Sequence, residues 1–168
     1  MFGLIAGCYS LLPKLTVMPS DRLDPDDPFS TIFLVSNDGV LPVHSVEFSC
    51  VGDYVKYPND IELFRNTSIE YTPIRETIDA GDKVPVPCPA AGIIAASKDE
   101  PVRKAGITLK VMYRPDWWWS SHEKKEFHFI GLIDRNDTVH WVQDTAPLKS
   151  PYSKEDKDAG TNRPGGSQ

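Results

Sequence analysis

Cys50 and Cys88 are the residues whose types and placement point most directly to a chemical bond. Each closes a stretch in which every second residue is apolar: Val46, Phe48 and Cys50 in one, Val84, Val86 and Cys88 in the other. In an extended chain those positions share one face. Two cysteines on inward faces form a disulfide in an oxidising compartment if their Cα atoms come within about 4.4–6.8 Å. The other reading keeps them reduced, as small buried hydrophobes. Cys8 is left over, and it lacks the electropositive surroundings of a reactive thiol. The chain carries no CxxC pair and no G-x-S-x-G, HExxH or phosphate-loop motif. No catalytic residue, resident metal or cofactor is assigned on that basis. The histidines His122, His128 and His140 offer an alternative, a metal-dependent binder or enzyme built on the last hairpin. It requires at least three of those histidines and nearby carboxylates to converge. With a turn at Asp134–Asp137, Gly131 is expected opposite His140, and His128 roughly opposite Gln143. Asp21, Asp24, Asp26 and Asp27 crowd one loop. It lacks the glycine and closing glutamate of an EF-hand, so it reads as a solvated acidic turn.

The stretch RPDWWWSSHEKK, from Arg114 to Lys125, is the candidate binding site. It lies between two runs of strand character, ITLKVMY and KEFHFIGLI, and therefore forms the loop of a hairpin. In an extended segment Trp117 and Trp119 point one way and Trp118 the other. A single three-ring platform is thus disfavoured. One or two indoles are expected to cap the end of the core, with at least one left for a partner, since tryptophan is enriched at protein interfaces and bilayer surfaces. Arg114 can stack on an indole face.

The elements that must hold these residues are strands. Fifteen prolines fall between short apolar runs in a chain of 168 residues, a pattern that favours strands over helices. Phe29, Thr31, Phe33 and Val35 alternate ahead of an Asn37-Asp38-Gly39 turn. Ile107, Leu109, Val111 and Tyr113 alternate in another strand. In KVPVPC, Pro85 and Pro87 cannot donate to a ladder, which places that strand at a sheet edge. The expected fold is all-β: an antiparallel β-sandwich of about seven strands over residues 13–145. The length suits one such domain with its own core. The net charge of −6 argues against nucleic acid, whose binders need a basic face.

FSTIFLVSNDGVLPVHSVEFSC resembles the strand–turn–strand unit of immunoglobulin-like and fibronectin-type-III-like modules, and IDAGDKVPVPC resembles one of their later strands. The stretch from Pro13 to Gln143 resembles a class of uncharacterised bacterial proteins with one N-terminal membrane segment followed by one such domain. The apolar residues 1–12 fit three readings. They can be the end of a transmembrane helix, being too short to span a bilayer alone. They can be a lipoprotein signal, since Ile5, Ala6, Gly7 and Cys8 match the bacterial lipobox and Cys8 would carry the lipid. They can also be a strand of the core. The first two place the domain at a membrane, on its extracytoplasmic side in the periplasm or at the cell surface. The resemblance then implies a non-enzymatic accessory module of the cell envelope, whose partner is another envelope protein or a glycan. Residues 146–168 are rich in Pro, Gly and charge and have little to bury, so disorder is expected there.

Overall fold

The computed structural model describes residues 13–24, 29–58, 62–69 (backbone path), 75–89, 101–116, 121–136 and 138–145. The apolar residues 1–12, residues 90–100, Trp117–Trp119 and the tail 146–168 lie outside them. Among the described residues no helix is long and apolar enough to cross a membrane, and every regular element is a strand. In chain order they are β1 (Leu15–Arg22), β2 (Thr31–Asn37), β3 (Val43–Lys56), β4 (Glu62–Ile69) and β5 (Arg75–Ile78). These are followed by β6 (Lys83–Pro87), β7 (Lys104–Pro115), β8 (Glu123–Ile133) and β9 (Val139–Asp144).

The strands form two antiparallel sheets. One has the order β1-β2-β6, and the other runs β4-β3-β7-β8-β9 with β5 also paired to β3. Among the described residues nine strands are present where alternation suggested about seven. One reason is that two short strands share the same flank of β3, β4 along Cys50–Lys56 and β5 along Val43–Val46. Among the described residues the strand carrying Pro85 and Pro87 does lie at an edge, paired with β2 alone. The Asn37–Gly39 turn joins the two sheets, since β2 and β3 belong to different ones. Asn37 is fully buried and serves as the knot of that end. Its side-chain amide donates to the carbonyls of Leu41 and Ile78, and its side-chain oxygen accepts from the Gly39 N–H.

The core fills the space between the sheets. Phe33 of β2 sits at its centre, with ring centroids 4.8 Å from Phe129 and 5.7 Å from Trp141 of the opposite sheet. The alternating residues Phe29, Thr31, Phe33 and Val35 are all buried, as are Ile107, Leu109, Val111 and Tyr113. Strand β3 is longer than its sequence pattern suggested and does not stop at Cys50. It continues through a bulge at Asp53, which shifts the alternation by one, so that Val46, Phe48 and Cys50 before it and Val55 and Tyr57 after it all join the core cluster. A simple period of two cannot describe such a strand.

Candidate functional site

Two long strands, β7 and β8, pair from Lys104↔Leu132 to Tyr113↔Glu123 and lead directly into the tryptophan loop. The sequence makes this base firm from the inside. The Tyr113 ring is fully buried, and its hydroxyl donates a 2.9 Å hydrogen bond to the Glu123 carboxylate. Burial and that neighbouring carboxylate raise the Tyr113 pKa well above the usual phenol range, so the phenol remains a donor at physiological pH. On the other side, His44 bridges two elements. Its Nε2 lies 3.0 Å from Oδ1 of Asp116, the residue before Trp117, and its Nδ1 lies 3.1 Å from the Thr77 hydroxyl of β5. A second bulge in β3 makes this reach possible. Ser45 adopts φ 50°, and the β3–β7 register shifts between His44 and Glu47. Arg114 is exposed and stands opposite His44 in the ladder. Trp117, Trp118 and Trp119 themselves fall outside the described residues, as does any contact Arg114 makes with them.

Cys50 of β3 and Cys88, just past β6, stand at disulfide distance with 5.5 Å between their Cα atoms. Both are buried. The bond joins the two sheets on the flank where β6 overlies β3. On the opposite flank the Trp141 indole N–H donates to the Thr31 hydroxyl at 3.0 Å, a hydrogen bond from sheet to sheet. Cys8, the lipid-bearing candidate, lies outside the described residues.

The histidines of the last hairpin are held apart. The expected register was one residue off: Trp141 lies opposite Gly131, Leu132 opposite His140, and Asp144 opposite His128. The cause is Asp134, whose Oδ1 accepts from the N–H groups of both Asn136 and Thr138 and so sets a longer turn. Those two hydrogen bonds, the Thr138 bond foremost, hold the Asp134 carboxyl below its ordinary pKa. Its other oxygen lies 3.3 Å from His140 Nε2. His128 is four positions from Leu132 along β8, roughly 13 Å at strand spacing. It contacts Thr108 instead, at 2.8 Å through Nδ1. The Thr108 hydroxyl donates to Asp53 at 2.7 Å. With its one proton used there, His128 Nδ1–H must be the donor to the Thr108 oxygen. Burial raises the Asp53 pKa, opposed by the Thr108 hydrogen bond and by nearby His128 and Lys110. Thr108 is almost fully buried, so this array closes a polar gap on the outer face of the larger sheet. Among the described residues no group of three or more His, Cys, Asp or Glu is placed to hold a metal ion.

A cleft of about 400 Å³ separates Pro19–Arg22 of β1 from Val139–Trp141 of β9, with Thr31 between them. It is polar and shallow, and it marks the flank where an edge of each sheet comes close.

Comparison with protein families, characterised proteins and solved structures finds no match.

Sequence reasoning missed the Asp53–Thr108–His128 array and the His44–Asp116 clasp. One signal was available for the first. Gly52 interrupts an apolar run immediately before Asp53, and an isolated glycine inside a strand pattern marks a bulge. The second had none, because His44 and Asp116 are 72 residues apart.

Proposed function

We propose that this protein is a non-enzymatic interaction module of the cell envelope. In this reading it is tethered to a membrane on the extracytoplasmic side by residues 1–12 and meets its partner through the tryptophan-bearing loop. The observation that carries the proposal is the clamped base of that loop. Tyr113–Glu123 on one side and His44–Asp116 on the other fix the two ends from which Trp117–Trp119 depart. Binding loops are characteristically displayed from rigid scaffolds in this manner, and indoles are the side chains that contribute most per residue at interfaces. The bridge between Cys50 and Cys88 supports an oxidising compartment.

The strand order supports an immunoglobulin-like or fibronectin-type-III-like fold. In the lettering of those domains β1, β2 and β6 take the places of A, B and E, while β3, β7 and β8 take C, F and G. Two features depart from the antibody-domain plan. The disulfide joins C to the segment after E, where antibody domains join B to F, and β9 adds a strand beyond G.

Fractionation of cells expressing the full chain tests the tether: recovery with membranes and an oxidised Cys50–Cys88 pair is expected. A freely soluble cytoplasmic protein with reduced cysteines would overturn that part. For the contact site, a photo-crosslinking residue at Ser121 should capture an envelope protein or glycan in the parent chain. Replacing Trp117, Trp118 and Trp119 together by Ala should abolish the adduct in a variant that still melts cooperatively with an oxidised Cys50–Cys88 pair. An adduct of equal yield in the triple variant refutes the loop as contact site.

A further inference from the structure

The chain enters the sandwich at the end from which the tryptophan loop leaves it. Pro13 is buried there, and its carbonyl accepts from the Lys125 ammonium of β8 at 3.4 Å. The next carbonyl, of Lys14, accepts from the Asp38 N–H at 2.8 Å. A side chain at Gly39 would come within 3.2 Å of the Pro13 Cα. Lys125 faces Val111 across the β7–β8 ladder, and Pro115 faces Val43 across the β3–β7 ladder. The point of entry, the β2–β3 turn and the base of the tryptophan loop are therefore neighbours. That turn has an apolar tip: Val40 is 58% exposed, ahead of half-buried Leu41 and Pro42. A single exposed valine is ordinary on a protein surface; here its position beside the entry point gives it meaning.

A short distance follows from the reading that residues 1–12 end a membrane-embedded segment, on which this inference rests. Only Pro13 and Lys14 separate that apolar run from Leu15, the first residue of β1. Three Cα-to-Cα steps reach at most about 10 Å. The polar layer of a bilayer is about 5–8 Å deep on each side. A domain joined so closely has no length of chain with which to hold its entry end clear of the lipid.

We infer that this end of the sandwich rests in the headgroup layer of the bilayer, with Val40 pointing towards the hydrocarbon. The base of the tryptophan loop then faces the membrane plane and not the space beyond it. The surface it fits is a zwitterionic one. Lys14 and Arg114 stand among Asp38, Asp116 and the Asp79–Asp82 turn, whose Asp82 carbonyl accepts from the Asn37 N–H. That mixture offers no basic field to draw anionic lipid. Two of those carboxylates are already engaged: Asp38 accepts from the Thr16 hydroxyl at 2.7 Å, and Asp116 lies 3.0 Å from His44 Nε2. Their internal hydrogen bonds lower the cost of bringing them close to lipid.

Two exposed apolar positions at opposite ends of the domain provide the test. Leu23 is 65% exposed and follows Leu15 by eight residues, roughly 26 Å along the strand direction. The full chain, carrying a genetically encoded environment-sensitive fluorescent residue at Val40 or at Leu23, is reconstituted with phosphatidylcholine vesicles that contain a quencher lipid labelled near its headgroup. Both side chains are mostly exposed, so labelling leaves the fold intact. Both chains should float with the vesicles. Fluorescence at Val40 should be quenched several-fold more than at Leu23, and added salt should leave that difference unchanged. A chain that does not float removes the tether, and the inference with it. Flotation with equal quenching at the two positions, with Leu23 the more quenched, or with a difference that salt abolishes leaves the tether standing and overturns the inference.

Discussion

Breaking the bond between Cys50 and Cys88 isolates the largest single contribution to stability that this structure lets one calculate. The bridge closes a chain segment of sequence separation 38. In the chain-entropy treatment the cross-link restricts the unfolded chain, by an amount that grows with the logarithm of loop length. For this loop that corresponds to about 4 kcal/mol at 25 °C. A domain of this size melts roughly 2–4 °C lower per kcal/mol lost, so the expected drop is about 8–16 °C. Both cysteines are buried, and Cys50→Ala/Cys88→Ala therefore also loses sulfur packing. Reduction of the parent protein leaves the sulfurs in place and separates the two effects. The assay is equilibrium urea unfolding of the oxidised protein, the reduced protein and the double variant, followed by fluorescence and by circular dichroism. Reduction should lower the unfolding free energy by most of the calculated amount. It should also increase the denaturant slope, because the released chain exposes more surface when unfolded. The double variant should fall slightly below the reduced protein. A loss under about 1 kcal/mol in both, with an unchanged slope, would refute the loop-closure reasoning.

Three further outcomes follow from single side chains. Gly106→Ala would drive a Cβ into the ring of Tyr54, which is itself buried, and should cost about 1–3 kcal/mol in urea unfolding. Trp141→Phe removes the indole donor to Thr31 and should cost about 1 kcal/mol, with a double-mutant cycle against Thr31→Val showing coupling between the two. Asp53 has a raised pKa, so the folded state holds its proton more tightly than the unfolded state does. That contribution favours folding at low pH and is lost as pH rises from the ordinary aspartate value through the raised one. Asp53→Asn keeps an acceptor for Thr108 and removes the titration. Its stability relative to the parent should therefore rise across that window, measured as the difference between two urea-unfolding pH series.

The tryptophan loop shows how unevenly a candidate site can be read from sequence. Its location was legible, because ITLKVMY and KEFHFI alternate cleanly and anything between them must connect a hairpin. The groups that hold its base were less accessible. Tyr113 is recognisable as an inward residue, but its hydroxyl partner depends on the β7–β8 register. His44 reaches Asp116 only because Ser45 bulges β3. The last hairpin shows the same limit: Asp134 accepts from two backbone N–H groups, lengthens the turn and displaces every cross-strand pair by one.

The character and inner face of the individual strands follow from local chemistry alone. Side chains alternate in any extended chain whatever its neighbours, so Phe33, Val35, Val86, Cys88, Leu109 and Val111 were identifiable as core residues before any partner was known. Pro85 and Pro87 likewise assigned an edge, because a missing N–H is a local fact. Long-range packing set which strands share a sheet, brought the disulfide across both sheets, and made β3 change phase at Asp53. Those outcomes depend on contacts between residues distant in the chain. A period of two carries no record of which neighbour a strand will meet.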